Sequence, residues 1–125
     1  MKAESISTKK LKSTTMDLEA ELVNVVSLEA QNLWIEGNLV TVAKKLGVTG
    51  WGKIRGETSI LLGSVYATNL EIEGDSIEIG SINGDIKVKS IGHVIIDSIE
   101  GDVSIESLSA YIACKSKAQS IYLKT

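Results

Sequence analysis

Two ten-residue segments, Ser81-Ile-Asn-Gly-Asp-Ile-Lys-Val-Lys-Ser90 and Ser98-Ile-Glu-Gly-Asp-Val-Ser-Ile-Glu-Ser107, carry one pattern at an offset of 17 residues. A repeat this short constrains the fold more than composition does. One unit cannot bury an apolar face by itself and must lie against its neighbours. The same offset leads back to Ser64-Val-Tyr-Ala-Thr-Asn-Leu-Glu-Ile-Glu-Gly74, where one residue is inserted. The longer form recurs as Ser27-Leu-Glu-Ala-Gln-Asn-Leu-Trp-Ile-Glu-Gly37, and looser copies begin at Lys10 and Lys115. The copies at 27 and 64 stand 37 residues apart, about twice the period, so a degenerate unit is expected over 45–56. That stretch holds Gly47, Gly50, Gly52, Gly56 and Trp51, and its path is the least determined.

Each unit alternates apolar and polar residues. Ile77, Ile79, Ile86 and Val88 fall on one face, and Glu78, Lys87 and Lys89 on the other, the period of a strand. Only 17–23 could be read as a helical turn. A meander of hairpins is the rival arrangement, but hairpins favour Asn-Gly or Asp-Gly loops. Here the order is Gly-Asp, with Asn83-Gly84 the exception. Units that resemble one another at every position point instead to stacking, position on position, about 4.8 Å apart. The fold expected is all-β: a single-stranded parallel β-helix (β-solenoid), right-handed, of about seven rungs of roughly 17 residues. Residues 1–125 form one domain, possible truncation at the C-terminal end included. Stacking predicts internal columns: Ile77 with Val94 and Tyr111, Ile79 with Ile96 and Ala113, Ile82 with Ile99, Ile86 with Val103 and Ile121, and Val88 with Ile105 and Leu123. Gly84 and Gly101 would take a corner that Ala30, Ala67 and Ala118 fill elsewhere, so that corner asks for a small residue.

The recurring Ser-Ile-x-Gly-Asp-(Ile/Val)-x-(Val/Ile) of 81–107 resembles the Gly-Asp-rich repeats of an adhesin-like β-helix family of unknown function. The resemblance is close over 60–107 and loose over 10–56. It implies the fold and brings no catalytic residues. Bactofilins, β-helical proteins that form polymers, are similar in their apolar rungs and lack the regular Ser-x-x-Gly-Asp corner.

The net charge of −3, from 13 basic and 16 acidic residues, gives no field suited to a polyanion, so nucleic acid is not an expected partner. Phe is absent, which leaves the core to Ile, Leu and Val. Cys114 alone cannot make a disulfide within the chain or a cysteine zinc site. No apolar run reaches the length of a membrane span, and no signal-peptide pattern opens the chain, so an intracellular location is expected.

No nucleophile elbow or phosphate loop is present, and the chain reads as a non-enzyme without catalytic, cofactor or metal residues. His93 could meet Ser76, Ser90 or Ser109, yet reads as an exposed turn residue. Asp75, Asp85, Asp97 and Asp102, with Glu73 and Glu100, could line one edge without the spacing of a calcium solenoid. Ser64, Ser81 and Ser98 should stack as a ladder. Trp34 should point outward between the inward Leu33 and Ile35, against a partner or under the N-terminal segment. The function expected is a non-catalytic structural or protein-interaction module. It would bind a protein partner, or itself, through its faces or ends, with Trp34, Trp51, Ile121, Tyr122 and Leu123 as the candidate surface. The alternatives are a self-assembling bactofilin-like scaffold and a carbohydrate-binding or carbohydrate-active β-helix.

Overall fold

The computed structural model describes residues 2–106, 109–112 and 117–124, with side chains over 4–90 and 92–106. The described chain is all strand: β1 (Lys2–Glu106), β2 (Ser109–Ile112) and β3 (Lys117–Lys124), in the sheet order β2-β1-β3. A straight strand of the 105 residues of β1 would be on the order of 350 Å long. Instead it winds back beside itself. The Gly80 Cα lies against the Gly63 carbonyl, Gly92 against Asp75 and Gly37 against Ala20. The Ser81 and Ser64 hydroxyls, 17 residues apart in sequence, are 3.2 Å apart in space. β1 pairs with both β2 and β3 in parallel, which excludes hairpins at these pairings. The arrangement is that of a β-solenoid traced as continuous strand.

The core is the inward set of the period-2 pattern. Val23, Val40, Ile60, Ile77 and Val94 are buried at one place in successive repeats, and Val25, Val42, Leu62, Ile79 and Ile96 at the next. β-Branched side chains suit such columns because they are stiff and pack closely on a pleated surface. Full burial of each contributes about 1.5–3 kcal/mol. Residues 17–23 are strand rather than helix: Met16, Leu18 and Ala20 are buried in alternation, and Val23 is buried after the exposed Glu21 and Leu22. The unit over 45–56 is also regular strand: Leu46, Val48 and Ile54 are buried with Gly52 and Gly56 between and after them.

One corner shows why some units are a residue longer. Gly84 (φ 127°) and Gly101 (φ 117°) are the only described residues with positive φ. A Cβ on Gly84 would stand 1.7 Å from the Ala67 carbonyl oxygen, and one on Gly101 2.4 Å from that of Gly84. Glycine turns this corner tightly, so a single outward residue separates it from the next inward one: Asp85 before Ile86, Asp102 before Val103. Alanine cannot take that φ without strain. Where Ala67 stands, two outward residues, Thr68 and Asn69, precede Leu70; after Ala30 they are Gln31 and Asn32. The register of β3 shows the same exchange, because Gly101 pairs with Ala118 but Asp102 with Ser120, an extra residue in β3. The corner therefore asks for glycine or an added residue, not merely for a small side chain. In the glycine-rich unit Val48 takes this place, and three outward residues follow it.

The pairing of β2 corrects two expected columns. Val94 pairs with Ala110 and Ile96 with Ile112, while Tyr111 stands opposite Ile95. The separation at His93–Ser109 is one residue shorter than the period, so a constant offset of 17 misplaces Tyr111. Ala113 lies outside the described residues. The columns from Val103 to Ile121 and from Ile105 to Leu123 follow the register.

Candidate interaction surface

Outward residues of adjacent repeats bring Trp34 and Trp51 together. Leu33 and Ile35 are buried, at 1% and 0% exposure, which turns Trp34 outward between them. Gly52 and Ile54 do the same for Lys53 one repeat later, and the Lys53 ammonium lies 5.6 Å from the Trp34 ring centroid. Trp51 leaves the corner just before, is 47% exposed, and meets Trp34 at 6.4 Å between centroids with the rings tilted by 33°. Both distances fall within the range of favourable ring–ring and cation–ring attraction. Trp34 is half-buried, with these two side chains against it. Beyond them Tyr66 is 49% exposed, with the Lys45 ammonium 5.7 Å from its centroid. Lys53 also approaches the Glu73 carboxylate at 4.0 Å, a long separation between two half-buried groups.

Trp34 and Trp51 thus lie together. Ile121, Tyr122 and Leu123 do not share their place: their backbone pairs with Val103, Ser104 and Ile105 in β3, and their side chains lie outside the described ones. Lys45, Lys53 and Tyr66 were missed as members of the surface.

The stacked repeats also assemble a histidine contact. Ser76 Oγ and His93 Nε2 are 3.1 Å apart; His93 is exposed, as expected, but lies in strand rather than in a turn. Ser109 pairs with His93 in backbone register. Ser90 is buried at 8% exposure, and its hydroxyl donates to the Asp75 carbonyl at 2.6 Å and reaches the His93 carbonyl at 3.4 Å. It locks the corner below His93. Ser64 and Ser81 form two members of the expected ladder, with Ser98 half-buried in the following repeat. Cys114 lies outside the described residues.

Asp85 and Asp102 line a shallow depression with Asn69 and Lys87, whereas Glu73 and Asp75 line another with Glu57, Glu106, Arg55 and Lys89. Arg55 shares that depression with Glu73 and Asp75, which come from the following repeat. Among the described residues no three of His, Cys, Asp and Glu converge as a metal site, and no helix is long and apolar enough to cross a membrane. Comparison with protein-family models, curated proteins and solved structures returned no match to this chain.

Proposed function

We propose that the chain is a right-handed single-stranded β-helix of about seven rungs that acts as a non-catalytic interaction or scaffold module. The observation carrying this reading is the grouping of Trp34, Trp51 and Lys53 on the outside of the stacked sheet, with a second pair, Lys45 and the exposed Tyr66, elsewhere on the outer surface. Tryptophan and tyrosine are among the usual anchors of protein interfaces. A stacked sheet holds them rigidly, so little ordering entropy is lost when a partner docks. The resemblance to adhesin-like repeats agrees with such a role. Self-association through faces or terminal rungs, as in a bactofilin-like scaffold, is the alternative form of the same module.

Light scattering with size-exclusion chromatography over a range of concentrations tests the assembly form, since growth of mass with concentration supports it. A constant monomer mass leaves a heterologous partner as the module's ligand. A second reading rests on the depression of about 330 Å³ lined by Arg55, Glu57, Glu73, Asp75, Lys89 and Glu106, a mix of acids and bases suited to a glycan. Turnover of any polysaccharide, abolished by Glu73→Gln, would overturn the non-catalytic reading.

A further inference from the structure

Between Lys12 and Lys87 the only basic residues are Lys44, Lys45, Lys53 and Arg55, all in or directly beside the glycine-rich unit over 45–56, and Glu57 is the single acid over 43–57. The rest of that span is acidic, with Glu29 and Glu36 before it and Glu71, Glu73, Asp75 and Glu78 after it. This unit is also the longest. Three outward residues, Ala43, Lys44 and Lys45, separate Val42 from Leu46, where Gly63 and Ser64 suffice after Leu62. Thr49, Gly50 and Trp51 separate Val48 from Gly52, where two residues suffice after Ala67. The Gly63 backbone lies against the Ala43 and Lys44 carbonyls and the Gly50 backbone against that of Gln31, so the added residues are absorbed at corners without breaking the stack. Each lengthened corner presents lysine or tryptophan: Lys44, Lys45 and Trp51 are all exposed. Lengthened corners add nothing to the core, and they build a belt of positive charge and aromatic surface across a molecule of net negative charge. Among the described residues Lys44, Lys45 and Arg55 make no ion pair.

We propose that this belt is a docking surface for an acidic segment of a protein partner, with Trp51 as its apolar anchor and Lys44, Lys45, Lys53 and Arg55 receiving carboxylates. The proposal rests on the interaction-module reading and names the partner's chemistry. A long polyanion fits worse. A neighbouring repeat lies only about 5 Å away, so Glu36, Glu71 and Glu73 stand well within a Debye length of about 8–10 Å from the belt. A nucleic acid or sulfated glycan would carry its charge across them. A peptide places one or two carboxylates over the lysines and leaves uncharged residues over the flanking glutamates. Base stacking is also impeded, because the Lys53 ammonium and the Trp51 ring already sit against Trp34.

Selection of a random twelve-residue peptide library on the immobilised full chain tests this, with the fluorescence of Trp34 and Trp51, the protein's two tryptophans, reporting binding of the selected peptides in solution. Enriched peptides should contain an excess of Asp and Glu, change that fluorescence, and bind at least tenfold more weakly to Trp51→Ala and to the double variant Lys45→Glu/Lys53→Glu. Lys87→Glu, away from the belt, should bind them as the natural chain does. Circular dichroism of each variant separates lost binding from lost folding, and Lys44→Glu, at a fully outward corner, provides a second variant should the double one fail to fold. Enriched peptides with no acidic excess, or peptides indifferent to these substitutions, would overturn the belt and leave the module reading standing. Tighter binding of oligo(dT) or a heparin oligosaccharide than of any selected peptide would overturn the acidic-segment assignment. No enrichment on any surface would count against both.

Discussion

Replacing Gly84 by alanine tests the corner rule on which the spacing of the repeats depends. Gly84 holds φ at 127°, a region that side chains rarely enter, and its Cβ would lie 1.7 Å from the Ala67 carbonyl oxygen. Backbone strain of this kind costs about 1–3 kcal/mol. The overlap is with backbone, so no side chain can swing away. The two repeats must part locally, losing one or two hydrogen bonds of about 0.5–1.5 kcal/mol each. The expected destabilisation is about 3–5 kcal/mol in all, measured by urea denaturation with far-ultraviolet circular dichroism. The alanine repeats show how the loss should be recovered. Gly84→Ala with one asparagine inserted after Asp85 recreates the Ala-x-x-apolar corner of Ala67 to Leu70, and should regain most of the stability. Gly47→Ala is the control. Its nearest foreign atom is the Glu29 Cγ at 3.6 Å, so the change should be neutral or stabilise by about 0.4–1 kcal/mol. If Gly84→Ala lies within about 0.5 kcal/mol of the natural chain, or if the insertion destabilises it further, the corner reasoning is wrong.

Three further outcomes follow from burial and hydrogen bonding. Ile79→Ala empties a fully buried column position and should cost about 2–5 kcal/mol, whereas Leu61→Ala, at 43% exposure, should cost under about 1 kcal/mol in the same denaturation assay. Ser90→Ala removes a buried donor to the Asp75 carbonyl and should cost about 1 kcal/mol, and faster amide exchange at Gly92 and His93 would place that loss at the corner. Trp51→Ala should leave the denaturation midpoint nearly unchanged while shifting the emission of Trp34 to longer wavelength, since it uncovers that ring without touching the core.

The parallel stacking was legible in the sequence because inward positions tolerate so little: Ile77, Ile79, Ile82, Ile86 and Val88 announce a strand period, and the Gly-Asp pairs announce its corner. Residues 17–23 were harder. Glu19, Glu21 and Leu22 satisfy a helical spacing as well as a strand one, and only the stacked neighbours settle the choice. The register of Tyr111 was not legible, because a constant period cannot reveal where a corner gains or loses a residue, and that depends on backbone φ. The outward orientation of Trp34 was readable from Leu33 and Ile35. Its contacts with Lys53 and Trp51 were not, since they depend on how the lengthened corners of the middle unit are absorbed. The grouping of Arg55 with Glu73 and Asp75 escaped for the same reason: stacking makes neighbours of residues that local sequence keeps apart.

Disulfide trapping between adjacent repeats probes the winding itself. With Cys114 replaced by alanine, the pair Ser64→Cys/Ser81→Cys puts two thiols where the hydroxyl oxygens are 3.2 Å apart, on backbones at the spacing a disulfide accepts. Mild oxidation should close this bond rapidly and quantitatively in the folded monomer, while Ser64→Cys/Ser98→Cys, two repeats apart, should stay reduced. Equal oxidation of the two pairs, or closure of only the distant one, would mean that residues 17 apart are not neighbours and that the chain does not wind as described.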